Sequence, residues 1–119
     1  MNRLRYALPL GWAVLIYWFS DQPRWVVTVP PWPGIDKVLH AAVFGILVLL
    51  GLWARRARSG REALCLLLLG CAYGALDEWH QSFVPGRSAD IWDVLADVLG
   101  CVVATALWWK FYLSSQHRA

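Results

Sequence analysis

Hydrophobic and polar positions along this chain fall into long blocks, not into the alternation of a strand or the three- and four-residue spacing of an amphipathic helix. Apolar residues run from about Leu4 to Phe19, from Val38 to Ala54, from Ala63 to Leu76, and from near Asp90 to about Leu113. Charge gathers in the gaps between them. Segregation of this kind predicts helices that are apolar all round, as membrane spans are. The expected fold is therefore all-α: a four-helix transmembrane bundle in one domain over residues 1–119, with helices at about 4–20, 37–54, 62–82 and 90–113. Each fully apolar stretch is short against the ~20 residues a span needs, so the second to fourth helices cross only if their charged ends are counted within them.

The breaks between the blocks are equally legible. The segment "SDQPRWVVTVPPWPGID", Ser20 to Asp36, holds four of the six prolines and reads as a non-helical connector. Its Trp25 and Trp32 suit the head-group level, where an aromatic ring with a polar N–H is favoured. The segment "RRARSGR" marks a short basic loop, and "VPGRS" stops the third helix with proline and glycine. Behind "MNRLR" the first block has the basic start and apolar core of a signal peptide. The following "YWFSDQPRW" offers no small-x-small cleavage pattern, so a retained helix is expected, with Pro9 in its first turns.

Composition agrees with the pattern. The 119 residues are 59% hydrophobic, with a mean hydropathy of +0.45, against roughly 45–50% apolar usage in soluble proteins. A net charge of +3 is too small and too segregated to point to nucleic acid. Cys65, Cys71 and Cys101 lie inside apolar runs without metal-ligand spacing and read as small packing residues. Lysine and arginine sort by side: Arg3, Arg5, Arg55, Arg56, Arg58, Arg61, Lys110 and Arg118 on one, only Arg24, Lys37 and Arg87 on the other. By the positive-inside rule both termini and the arginine loop are expected in the cytoplasm of a multi-pass protein of a bacterial inner (plasma) membrane.

Seven of the eight acids, Glu62 being the exception, fall on the opposite, external side. An acid at a helix centre in hydrocarbon costs about 2.5–3.5 kcal/mol on insertion scales, so intramembrane acids face a bundle interior or water and find partners. Asp90, Asp93 and Asp97 share one face of the fourth helix, with Asp97 about 10 Å deeper than Asp90 at 1.5 Å per residue. Asp36 and His40 are an i, i+4 pair at the start of the second helix, and Glu78 and Gln81 an i, i+3 pair at the end of the third. Three helices thus bring polar groups to one external depth, as a pocket opening outward requires, and Arg87 in the adjoining loop supplies a forked cation for a carboxylate or phosphate. Asp36 and Asp90 have a plainer reading as helix caps, and Asp77, Trp79 and His80 as rim residues.

The segments "DKVLHAAVFGIL" (Asp36 to Leu47) and "DEWHQSFVPGRSADIWDVLADVLG" (Asp77 to Gly100) resemble the two hallmark regions of the VanZ-like family of small integral membrane proteins. The resemblance covers about a third of the chain and marks Asp36, Lys37, His40, Phe44, Glu78, Gln81, Arg87, Asp93 and Gly100; Asp97 stands where the family often has asparagine. It implies a cell-envelope membrane protein, with members linked to reduced susceptibility to teicoplanin-type glycopeptide antibiotics. Some members carry an acyl-phosphotransferase label, for which this sequence has no phosphate-cradling glycine loop.

Two functional readings follow. In the first, Asp36, His40, Glu78, Gln81, Arg87, Asp93 and Asp97 bind a polar group at the outer leaflet, a membrane lipid head group or cell-wall precursor, without turning it over. In the alternative the protein is a metal-assisted enzyme acting on that head group, with His40 or Glu78 as catalytic base and Glu78, Asp93 and Asp97 holding a divalent cation; oxygen-rich sites suit Mg²⁺, Ca²⁺ or Mn²⁺ better than zinc. A cation or proton transporter would need the polar path to continue inward, where the spans offer no charged group.

Overall fold

In the computed structural model, which describes residues 2–119, every regular element is helical. Asn2 accepts a hydrogen bond from the Leu4 amide and starts a 3-10 turn, Arg3–Tyr6, that runs into α1, Ala7–Ser20. The proline-rich connector then leads to α2, Ile35–Arg55. Helix α3, Gly60–Gln81, begins at Ser59. Helix α4, Ile91–Arg118, begins at Asp90, whose Oδ1 accepts from the Trp92 amide at 2.9 Å and so caps the helix. Asp36 does not cap α2: Gly34 holds that position, and Asp36 lies within the first turn.

Ser59 and Glu62 satisfy each other's amides in a complete capping box at the start of α3. Ser59→Ala should cost about 1 kcal/mol, read as a lower Tm in detergent with α3 otherwise unchanged.

Helix α2 is the centre of the bundle: it packs against α1, α3 and α4, whereas α1 touches α2 and α3 but not α4. The α2–α4 pair is the most extensive, because small residues let the two backbones approach. A side chain at Gly100 would fall on the Ala41 carbonyl of α2, and Gly45 meets the Gly100 carbonyl from the other side. Around this crossing lie the buried Phe44, Val48 and Leu52 of α2 and Cys101 and Ala104 of α4, joined by Ile16 and Ala63. Among the three cysteines only Cys101 is fully buried; Cys71 is half-buried and Cys65 is exposed.

The outside of the bundle is as oily as its core. Leu8, Val14, Leu68, Leu69, Leu99 and Val103 are all largely exposed, a surface that suits lipid and not water. Helices α2 and α4 are long and apolar enough to cross a membrane. The other two fall short of that standard. Helix α1 has 14 residues, about 21 Å at 1.5 Å per residue against a hydrocarbon core of about 30 Å, and α3 carries Arg61, Glu62, Asp77, Glu78 and His80 near its ends.

Candidate functional site

The first turns of α2 and α4 meet at Lys37. Its ammonium group lies 2.8 Å from Asp36 Oδ2, 3.0 Å from Asp90 Oδ2 and 2.5 Å from Asp93 Oδ1. One cation thus ties three carboxylates from two helices. The Asp90 carboxyl, at the mouth of the site, is held below its ordinary value, chiefly by the hydrogen bond from Lys37.

One turn deeper, His40 Nδ1 is 2.9 Å from Asp97 Oδ1. An ionised carboxylate can only accept, so Nδ1 carries the proton, and in the neutral imidazole Nε2 keeps its lone pair. Asp97 is fully buried. It fits because Gly74 of α3 has no side chain: a Cβ there would lie 3.0 Å from Asp97 Cβ and 3.1 Å from its Oδ2. The His40 Nε2 edge faces Asp93 Oδ2 at 3.7 Å.

Glu78, near the end of α3, completes the group from the third side. Its Oε1 accepts from the Asp90 amide at 2.8 Å, while Oε2 is buried with no hydrogen-bond partner. One ligand atom from each of His40, Glu78 and Asp93 lies within 4.8 Å of the other two. A nitrogen and two carboxylate oxygens drawn this close, one oxygen orphaned, form a donor set for a divalent cation. The imidazole is held from behind by a carboxylate, as metal-bound histidines are, so Asp97 stands behind the donor set as a support and not in it.

Beside this cluster opens a cavity of about 670 Å³, walled by α1, α2, the connector and the α3–α4 loop. Its polar end holds Asp36, His40, Asp77, Gln81, Arg87, Asp90 and Asp93, and its apolar end Trp12, Leu15, Phe19, Leu39 and Val43. The VanZ/LLP1 family model matches residues 5–113, nearly the whole chain.

The chain belongs to the VanZ/LLP1 family. It is also similar to an uncharacterized protein of Schizosaccharomyces pombe, 37% identical over 78 residues, which cover 65% of this chain and 48% of that protein. The chain thus spans about half the length of this curated relative. No solved structure matches it.

In this VanZ-family membrane protein the remaining expected site residues serve partly to seat α1. Arg87 donates from Nε to the Gln22 carbonyl at 2.8 Å and from Nη2 to the Phe19 carbonyl at 3.0 Å, where a helix C-terminus favours a cation. Gln81 donates to the Ser20 hydroxyl at 2.7 Å. His80 stacks on Tyr17 and pairs with Asp21, so it clasps the same helix end. Asp77 is not the rim residue that its position suggested. It is buried and lines the cavity. Lys37, marked in the sequence by resemblance alone, is the hub of the outer carboxylates. Its i, i+3 reach to His40 carried no hint of this, because both of its α4 partners come from tertiary packing.

Proposed function

We propose that this protein is a membrane enzyme that uses a divalent cation, held by His40, Glu78 and Asp93, to act on the head group of a lipid at the outer leaflet. The single observation that carries this reading is the convergence of those three donors, with the buried Glu78 Oε2 unpartnered, beside an amphipathic cavity that His40 and Asp93 help to line. A cation there would polarise a phosphoryl or carbonyl oxygen as a Lewis acid. With His40 and Glu78 engaged as ligands, the general base falls to Asp77, the buried carboxylate on the cavity wall outside the donor set. Asp36, Asp90 and Lys37 form the mouth, Asp97 orients His40, and Gln81 and Arg87 hold α1 across from them.

In this reading the whole chain is one four-span domain of a bacterial plasma membrane, with both termini and the arginine loop in the cytoplasm. The charged ends of α3 and the short α1 are then tolerated because they border a water-accessible cavity. A head group found in fungal as well as bacterial membranes fits better than a peptidoglycan precursor, given the similarity to a fission-yeast protein. A role in glycopeptide resistance would then be secondary.

Binding without turnover is the second reading, and Lys37 favours it: its ammonium already neutralises Asp93, so a cation is not needed to gather the acids. Electron paramagnetic resonance of Mn²⁺ added to the purified protein separates the two. The expected result is one bound Mn²⁺ per chain, weakened at least 10-fold by Asp93→Asn, together with Mn²⁺-dependent cleavage of a lipid head group. Absence of binding by Mn²⁺, Mg²⁺ and Ca²⁺ alike would leave only the receptor reading.

A further inference from the structure

Two guanidinium groups border the cavity. Arg24, in the connector, and Arg87, in the α3–α4 loop, both line it. Among the described residues no carboxylate lies within ion-pair distance of either. The acids of the site make their direct contacts elsewhere: Asp36, Asp90 and Asp93 with Lys37, Asp97 with His40, and Glu78 with the Asp90 amide, while Asp77 and Glu78 attract Arg87 only at longer range. The Arg87 guanidinium is held below its ordinary value, first by burial and next by the repulsion of Arg24. Arg87 is half-buried and Arg24 exposed, and with no carboxylate in direct contact with either, an anion between them would relieve their repulsion. Arg87 keeps Nη1 free of protein hydrogen bonds among the described residues, since Nε and Nη2 serve α1.

The rest of the cavity sets what kind of anion fits. Its lining also includes Trp12, Leu15, Leu39 and Val43 of α1 and α2, of which Leu15 and Leu39 also face the oily exterior. Trp12 is fixed there by its Nε1–H bond to the Val43 carbonyl at 2.9 Å. A free phosphate would leave this apolar half wet, and a zwitterionic head would set a cation against the arginine pair. We propose that the cavity binds a membrane lipid ending in a phosphate monoester, with the phosphate on Arg24 and Arg87 and the first part of its hydrocarbon chain between α1 and α2. This names the substrate class of the site described above and so rests on that reading. The volume suits a head group and the start of a chain, and two guanidiniums match the dianion that a monoester carries near neutrality.

The test is capture of radiolabelled dioleoyl phosphatidic acid by the purified protein in detergent micelles, with Mn²⁺ affinity measured on the same samples. Saturable capture is expected, with phosphatidylcholine at least 10-fold weaker and millimolar inorganic phosphate a poor competitor. Arg24 is exposed in the connector, so Arg24→Ala should leave the fold intact and lower capture at least 10-fold, Arg24→Lys should restore part of it, and neither should alter Mn²⁺ affinity. Leu39→Trp, which fills the apolar half, should lower capture as well. His40→Ala should lose Mn²⁺ and keep the lipid, so failure of the metal reading is seen separately from failure of this one. Equal capture of phosphatidylcholine, full competition by inorganic phosphate, or unchanged capture by Arg24→Ala would each overturn the proposal.

Discussion

Gly100→Val is expected to unfold the bundle. A side chain at position 100 would occupy the place of the Ala41 carbonyl, and backbone cannot swing aside as a flexible side chain can. Relief requires α2 and α4 to separate along the interface that buries Phe44, Val48, Leu52 and Cys101. Overpacking a core costs typically about 1–3 kcal/mol. A collision of main chains at the most extensive helix pair belongs at or above the upper end, a large share of the roughly 5–15 kcal/mol that holds a domain together. Thermal unfolding in mild detergent should show a Tm far below that of the parent or no cooperative transition. Gly11→Ala is the matched control, because a Cβ there meets nothing within 4 Å. It should be neutral or stabilising by about 0.5–1 kcal/mol, since alanine is the better helix former. A Gly100→Val protein that melts like the parent would mean that the two helices cross at a wider distance than described.

Asp97→Ala should lower Mn²⁺ affinity by about 10–100-fold, the usual cost of losing a carboxylate behind a metal-bound histidine. Asp97 fixes which imidazole nitrogen is free. Without it His40 Nδ1 loses its acceptor, the ring can take the other tautomer, and the Nε2 lone pair no longer points dependably toward Asp93 and Glu78. Asp97→Asn separates orientation from charge, because its amide oxygen can still accept from Nδ1–H. That variant should recover most of the affinity that alanine loses. Titration of each protein with Mn²⁺, followed by electron paramagnetic resonance, gives the order parent, asparagine, alanine. Equal loss in both variants would show that Asp97 acts through its charge and not by positioning His40. Both substitutions remove a buried carboxylate with one oxygen unpartnered, so folding should not suffer in proportion.

Local spacing and tertiary packing contributed differently to this site. The heptad-like spacing of Asp90, Asp93 and Asp97 fixes their common face, because a helix repeats every 3.6 residues wherever it lies. That periodicity cannot say what the face meets. Lys37 against Asp90 and Asp93, and His40 against Asp97, are contacts between residues 53 to 57 positions apart. Their partners were set by the depth at which Gly100 lets α4 slide against α2. Arg87 and Gln81 could be read as ligand-binding groups from their neighbourhood. In the structure both reach the end of α1 and the residues just after it: the Phe19 carbonyl, the Ser20 hydroxyl and the Gln22 carbonyl lie 61 to 68 positions earlier in the chain.

The all-helical character and the family were determined by sequence alone, since block hydropathy, proline placement and motif spacing act through neighbours along the chain. The extent of the helices as spans was not: α1 stops after 14 residues, where its end is claimed by Arg87, Gln81 and His80 from another helix and loop. His40, Glu78 and Asp93 could be named as candidates from the sequence, but that these three and not Asp97 bring ligand atoms together was decided by tertiary structure. Each of the three is placed by a different helix, and only the glycine-mediated approach of α2, α3 and α4 brings their ligand atoms within reach of one ion.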